Sequence, residues 1–192
     1  ITIYGGAINI NAALTATGTN TITLKGTGNV TDGASGYVVA SNLLLLGGNV
    51  TLDNAANNAV GTLAASGVTG LTFADKNALA IGTVGSTNGV SASGAINIST
   101  YDSNLTVSQS VETTNATSSA IILNAASNTA AGTSTGGNVL LSGTPSITTG
   151  TNGRVVLYSG SVNDSTGVTS YVGSGTGNFR YNSKVGTSNF TT

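Results

Sequence analysis

Six carboxylates supply all the side-chain acid–base chemistry that this sequence offers near neutral pH: Asp32, Asp53, Asp75, Asp102, Glu112 and Asp164. There is no histidine and no cysteine. A Ser/His/Asp triad, an imidazole base, a thiolate nucleophile and a Cys/His metal cage are therefore excluded. No two of the acids lie within three residues of each other. Paired-carboxylate chemistry of the glycosidase or lyase kind would need a fold that stacks distant residues on one face. Taken singly, each acid adjoins Gly, Asn, Ser, Thr or Lys, and such neighbours mark turns in which a carboxylate is solvated or bonds nearby amides.

Other motifs carry less. Gly47-Gly48-Asn49-Val50-Thr51-Leu52 lacks the Gly and Asp of a calcium-binding nonapeptide repeat. Gly173-Ser174-Gly175-Thr176-Gly177 lacks the Lys-Ser/Thr end of a phosphate loop and reads as a turn. No metal and no cofactor is expected. Asn-x-Ser/Thr occurs at Asn29, Asn49, Asn97, Asn104, Asn115, Asn163 and Asn189, about what this Asn, Ser and Thr content supplies by chance. Threonines alternate from Thr15 to Thr23, the pattern of an ice-binding strip, but the later pairs Thr133/Thr135 and Thr149/Thr151 follow no regular spacing. A solvated strand face is the plainer reading. Near the C-terminus Tyr158, Tyr171, Phe179, Tyr181 and Phe190 gather with Arg154, Arg180 and Lys184. Tyr158, Tyr171, Arg180 and Tyr181 are the candidate partner-binding residues, suited to stacking on sugars or on a protein surface. Core packing in atypical terminal turns is the competing expectation for the same aromatics, and the favoured one.

The elements that would position these residues are short strands. Only five basic and six acidic residues occur among 192, with 28 glycines and one proline. Composition alone resembles a disordered linker, yet 39% of residues are hydrophobic, and Ile, Val and Leu alternate in runs of three to five. The near-zero net charge of −1 gives no footprint for nucleic acid or acidic membranes. The longest aliphatic run, Leu43 to Leu46, is far too short to span a bilayer. The chain starts at Ile1 without Met, which reads as a piece of a longer protein.

One box recurs along the chain: Gly5-Gly6-Ala7-Ile8-Asn9-Ile10, Gly47-Gly48-Asn49-Val50-Thr51-Leu52, Ser93-Gly94-Ala95-Ile96-Asn97-Ile98, Gly136-Gly137-Asn138-Val139-Leu140-Leu141 and Asn152-Gly153-Arg154-Val155-Val156-Leu157. Self-similarity of this kind signals a solenoid. Glycine at corners and Asn, Ser and Thr beside them favour it over a β-sandwich. Helix is close to excluded, since no window of eleven residues keeps a 3.6 period. The expectation is one all-β unit over 1–192, a right-handed parallel β-helix of about nine turns of roughly twenty residues, some 40 to 45 Å long. Residues 153–192 would be its atypical terminal turns. Val162, Val172 and Phe179-Arg180-Tyr181 are read as its last strands, and Pro145 as a turn or strand start. Leu141 is expected inside and Thr17 outside.

At the C-terminal end the sequence resembles a known family. Gly153-Arg154-Val155-Val156-Leu157-Tyr158-Ser159-Gly160-Ser161, then Ser165-Thr166-Gly167-Val168, then Val172-Gly173-Ser174-Gly175-Thr176-Gly177-Asn178-Phe179-Arg180-Tyr181-Asn182-Ser183, is similar to the end of the repeat region in bacterial filamentous-haemagglutinin-like exoproteins. Residues 61–98 look like the looser repeats of the same family. The resemblance implies a right-handed parallel β-helix secreted by a two-partner route and displayed on a Gram-negative cell surface as an adhesin. It implies host-cell or glycan partners and a non-catalytic structural role, and it transfers no catalytic or binding residue.

Overall fold

The computed structural model describes residues 1–173 and 177–187. Ser174 to Thr176 of the glycine-rich turn, the Asn-x-Ser/Thr asparagine Asn189 and the aromatic Phe190 lie outside the described residues. Among the described residues the chain forms twenty strands and one short helix. The first coils run β1 (Thr2–Gly5), β2 (Ile8–Ile10), β3 (Ala13–Thr15), β4 (Thr21–Gly26), β5 (Val30–Asp32), β6 (Tyr37–Leu46), β7 (Asn49–Leu52), β8 (Ala59–Val68) and β9 (Gly70–Asp75). The middle of the chain gives β10 (Leu79–Ile81), β11 (Thr83–Val84), β12 (Thr87–Asn88), β13 (Val90–Ala92), β14 (Ile96–Thr100), β15 (Leu105–Val107) and β16 (Val111–Thr113). The end gives β17 (Ile121–Asn124), β18 (Val139–Leu141), β19 (Ile147–Thr148), β20 (Val155–Tyr158) and helix α1 (Val168–Val172).

All the ladders are parallel except the β11–β12 hairpin. The front sheet stacks β2, β5, β7, β9, β14, β17 and β20 in chain order. The back sheet has eleven strands on the path β1-β4-β6-β8-β10-β15-β18, joined at its sides by β3, β13, β16 and β19. A chain that returns each time to the same side of the same neighbour is a β-solenoid.

Register follows from which side chains must be inside. On the front sheet Ile8, Val30, Val50, Leu71, Ile96, Ile121 and Val155 form one inner file. On the back sheet Ile22, Leu43, Leu63, Ile81, Val107 and Leu141 form another. A slip of one residue would turn a whole file outward, so apolar alternation fixes the pairing. The two sheets enclose a single core in which Phe73, Leu24, Leu45 and Ile98 are fully buried. Gly48 marks the corner into β7. Its φ of +69° is left-handed, and a Cβ there would stand 2.1 Å from the Gly28 carbonyl oxygen one coil below.

The front file shows six turns, not the nine expected from a constant step of twenty. Successive steps take 22, 20, 21, 25, 25 and 34 residues from Ile8 to Val155. At about 4.8 Å per rung the stack is roughly 30 Å long rather than 40 to 45 Å. Three features absorb the difference. The β11–β12 hairpin leaves the coil between β10 and β13 and folds back over the outside of β6 and β8. There Val84 is buried, and so is Ala64, which stands outside the main core. A loop over 125–138 separates β17 from β18. Beyond Tyr158 no described residue is in a strand: Val162 is exposed, Val172 ends α1, and Phe179-Arg180-Tyr181 is irregular. Helix α1 is a further departure from the sequence reading; five residues are too few for a 3.6 period to register.

Two other expectations meet the structure locally. The Thr15 to Thr23 alternation is divided between β3 and β4, with Thr17 and Thr19 exposed between them. Pro145 lies between β18 and β19, ahead of a strand as read. Leu141 is buried at 5% exposure and Thr17 is exposed. Leu141→Asp should therefore remove cooperative unfolding of the last turns, while Thr17→Ala should change stability by less than about 0.5 kcal/mol. Urea melts of the two variants compare them directly, and equal losses would contradict the burial. A second pair isolates the corner. Gly67 also has positive φ (+65°) but open space around it, so Gly67→Ala should cost about 1 kcal/mol and Gly48→Ala clearly more. Equal costs would mean that the stacked carbonyl does not constrain Gly48.

Candidate functional site

Four of the six acids gather along one edge of the solenoid, the corner that follows the front sheet. Asp32 ends β5, Asp53 follows β7, Asp75 ends β9 and Asp102 follows β14. Glu112 faces outward on β16, and Asp164 is exposed near the C-terminal end. The corner acids do not converge on a common point. Asp53 and Asp102 are exposed. Asp32 accepts from the backbone amides of Asp53 and Asn54, both at 3.1 Å, and from Asn58 Nδ2 at 3.3 Å. Among the described residues no three acids are grouped as a metal site would need.

Asp75 is different, because it is inside. It has no exposed surface, and its two oxygens accept the amides of Val60 at 2.7 Å and Asn77 at 2.8 Å. The fully buried Asn58 stands beside it, giving its Nδ2 protons to the carbonyls of Leu52 and Ala74 and taking the Val38 amide at 2.8 Å on Oδ1. Two rungs' worth of corner backbone is thus satisfied by two side chains. Thr100, level with Asp75 on the next coil, does the same for the Ala126 amide at 3.1 Å. No buried side-chain polar atom among the described residues is left without a partner. Reading every acid as a turn residue missed this burial. The signal was there: Leu71, Phe73 and Asp75 share one parity, and that parity faces inward.

The other candidate is the C-terminal end. Ser159 Oγ accepts the Val139 amide at 2.8 Å, the Thr166 carbonyl accepts the Leu141 amide at 2.8 Å, and the Tyr171 hydroxyl donates to the Ile147 carbonyl at 2.9 Å. These contacts close the last strands of the back sheet, and Val168 of α1 covers the core there. Two adjoining clefts remain. One, of about 660 Å³, lies along β20 and is lined by Val155, Leu157, Tyr171, Val172, Phe179 and Arg180 among others. The second, of about 630 Å³, is lined by Tyr158, Asn163, Arg180, Tyr181 and Lys184 among others.

The four candidate partner-binding residues are thus brought together around neighbouring clefts. Core packing does not account for these aromatics: Tyr158 and Phe179 are half-buried, while Tyr171 and Tyr181 are 40% and 71% exposed. Tyr171 has a structural bond as well, and burial of part of its ring pushes its phenol pKa up. The front sheet presents one threonine file, Thr31, Thr51 and Thr72, bounded by Asn9 and Asn97. Ice binding as reasoned from the sequence requires paired threonines on successive coils, and a single file does not supply them.

No family model, curated protein or solved structure matches this chain. The class established by the geometry is a β-solenoid, and its clefts are read from their own residues.

Burial raises the pKa of Asp75 from 3.8 to about 7, against the pull of its two amide bonds. Between those values the folded chain holds a proton that the unfolded chain has released, so stability falls as pH rises from about 4 to about 7 and is level above that. The drop is on the order of 4 kcal/mol at about 1.4 kcal/mol per unit. The melting temperature should therefore be higher at pH 5 than at pH 7.5, and Asp75→Asn should flatten the difference. A wild-type profile flat over this range would show that Asp75 ionises in the folded chain without cost.

Proposed function

We propose that this chain is a rigid, non-catalytic segment of a bacterial surface adhesin of the filamentous-haemagglutinin type, wound as a right-handed β-helix. It would act as a stalk and carry a saccharide-binding patch near its C-terminal end. The observation behind this reading is the unbroken register of the front sheet: seven stacked strands share one inner apolar file from Ile8 to Val155. Such a stack resists bending because a bend stretches the ladder hydrogen bonds on one side and compresses close-packed side chains on the other. The chain's low charge and near-neutral balance suit close contact with neutral surfaces. The sequence resemblance at residues 153–183 supports the same setting, outside a Gram-negative cell.

The saccharide patch is assigned to the second cleft. Tyr181 offers an exposed ring face, Tyr158 forms part of the wall, and Arg180 and Asn163 line it with polar groups suited to sugar hydroxyls. The test is binding of the folded chain to a broad glycan array and to intact cells, alongside Tyr181→Ala. Saturable binding that falls at least tenfold in Tyr181→Ala, with unchanged melting, supports an adhesive segment. Absence of binding to both glycans and cells would overturn the patch and leave a spacer.

A further inference from the structure

One element of the chain belongs to neither large sheet. The β11–β12 hairpin pairs only with itself, Thr83 opposite Asn88 and Val84 opposite Thr87, and turns at Gly85-Ser86, where Gly85 takes a φ of +61° in open space. Its base is pinned to β8. The Gly82 amide donates to the Leu63 carbonyl at 3.1 Å, the Gly89 carbonyl accepts the Ala65 amide at 2.9 Å, and the Gly89 amide closes the base on the Gly82 carbonyl at 2.9 Å. The coil therefore stays in the ladder with β8 on both sides of the excursion, through β10 and β13. Beyond that base, among the described residues, no hydrogen bond joins residues 83–88 to the solenoid. The bond from Thr83 Oγ1 to Asn88 Oδ1, at 2.8 Å, is internal to the hairpin.

What holds the hairpin down is apolar. Val84 alone among residues 83–88 is buried, at 3% exposure. β11 packs against β6 and β8, whose outward side chains include the neighbours Leu44 and Ala64. Ala64 has no exposed surface although it stands outside the main core, and Leu44 is half-buried. A fully covered residue on the outside of a solenoid needs a cover, and the hairpin is the element packed there. Burying one valine favours the closed position by about ten- to hundredfold. Lifting a rung of the solenoid is far costlier, since it breaks a ladder and uncovers several core side chains at once. Glycine stands at both ends of the hairpin because a Cβ at Gly82 would lie 2.8 Å from Thr62 Cγ2 and one at Gly89 2.0 Å from the Ser110 carbonyl oxygen. The same two residues accept the widest range of backbone angles, so a rotation of the hairpin is absorbed there.

We propose that the β11–β12 hairpin is a hinged flap, which opens while the ladders of the solenoid stay paired and uncovers an apolar patch of Leu44 and Ala64 on the outside of the back sheet. The closed chain hides this patch. None of the hairpin's residues lines either C-terminal cleft, so the flap is independent of the saccharide patch.

The test uses the whole chain, which has no cysteine, so that a single introduced thiol reports without background. Ala64→Cys under the hairpin and Val84→Cys on its lower face should react with a maleimide about ten- to hundredfold more slowly than the exposed Thr17→Cys. Both rates should be independent of urea below about 1 M, as local opening requires. Val107→Cys, in the core, should react at least about a hundredfold more slowly than either, at a rate that rises with urea, because it waits for global unfolding. Adding Val84→Ala to the Ala64→Cys chain should speed its labelling about fivefold or more and leave the melting temperature within about 2 °C. The two thiols read one opening from opposite faces, so if either variant fails to fold the other decides. Labelling no faster than Val107→Cys, with the same rise in urea, would overturn the flap, since the hairpin would then leave only with the whole solenoid. Labelling as fast as Thr17→Cys would overturn it as well, because the hairpin would have no closed position.

Discussion

Everything in this molecule depends on backbone pairing in register between one coil and the next. With few charges and no disulfide, the chain is held by parallel ladders and by the apolar files that they align. The two are not independent. A ladder shifted by one residue would turn Ile96 and Ile98 to solvent and bring Asn97 into the core, so the files select the register and the register builds the files. The same coupling explains why steps of 20 to 22 residues can grow to 25 and 34 without loss of the stack. Extra residues are harmless where they leave the coil between strands, as the β11–β12 hairpin does. Inside a strand an extra residue must be absorbed as a bulge, as between β8 and β13, where Ala65 and Val68 pair with Val90 and Ala92.

Corners are where this design meets its cost. At each corner the chain leaves the ladder, and amides that would otherwise pair must find partners within a narrow, water-poor space. The structure uses two devices. Stacked glycines such as Gly28 and Gly48 let the backbone of one coil sit on the carbonyls of the last. Inward side chains such as Asn58, Asp75 and Thr100 take amides from neighbouring coils. A carboxylate is the least comfortable of these choices, because burial penalises its charge while its two amide partners favour it. Asparagine at the same point would place an NH2 group opposite one of those amides. The acid is thus the better geometric fit and the worse electrostatic one.

Much of the architecture was legible in the sequence because the inward files are written as apolar alternation after small-residue corners. Four of the five recurrent boxes lead into front-sheet strands, β2, β7, β14 and β20. The fifth, Gly136 to Leu141, leads into β18 of the back sheet, since both sheets make the same demand for a tight corner before an apolar strand. The number of turns was not legible for that reason: equal boxes do not say which face they occupy, and the hairpin at 83–88 has the same composition as a rung. Nor did composition separate Asp75 from Asp53. Their neighbours are alike in kind, and only parity relative to Leu71 and Phe73 sends one side chain inward. The gathering of Tyr158, Tyr171, Arg180 and Tyr181 was visible as a cluster in sequence, but which of them face solvent depends on how the last coil is closed.

That closure gives the end of the solenoid its character. A symmetrical cap would satisfy both sheets and leave an inert end. Here the segment after Tyr158 crosses to the back sheet, gives its hydroxyls and carbonyls to Val139, Leu141 and Ile147, and borders the front-sheet strand β20 through Val172, Phe179, Arg180 and their neighbours. The asymmetry follows from chain direction. β20 belongs to the last coil, so the chain emerging from it must turn toward the back-sheet strands that come next in every coil. It covers those first. Among the described residues β20 is the last strand of the front sheet, and its inward Val155 and Leu157 are half-buried where Ile121 and Leu123 on the rung before are fully buried.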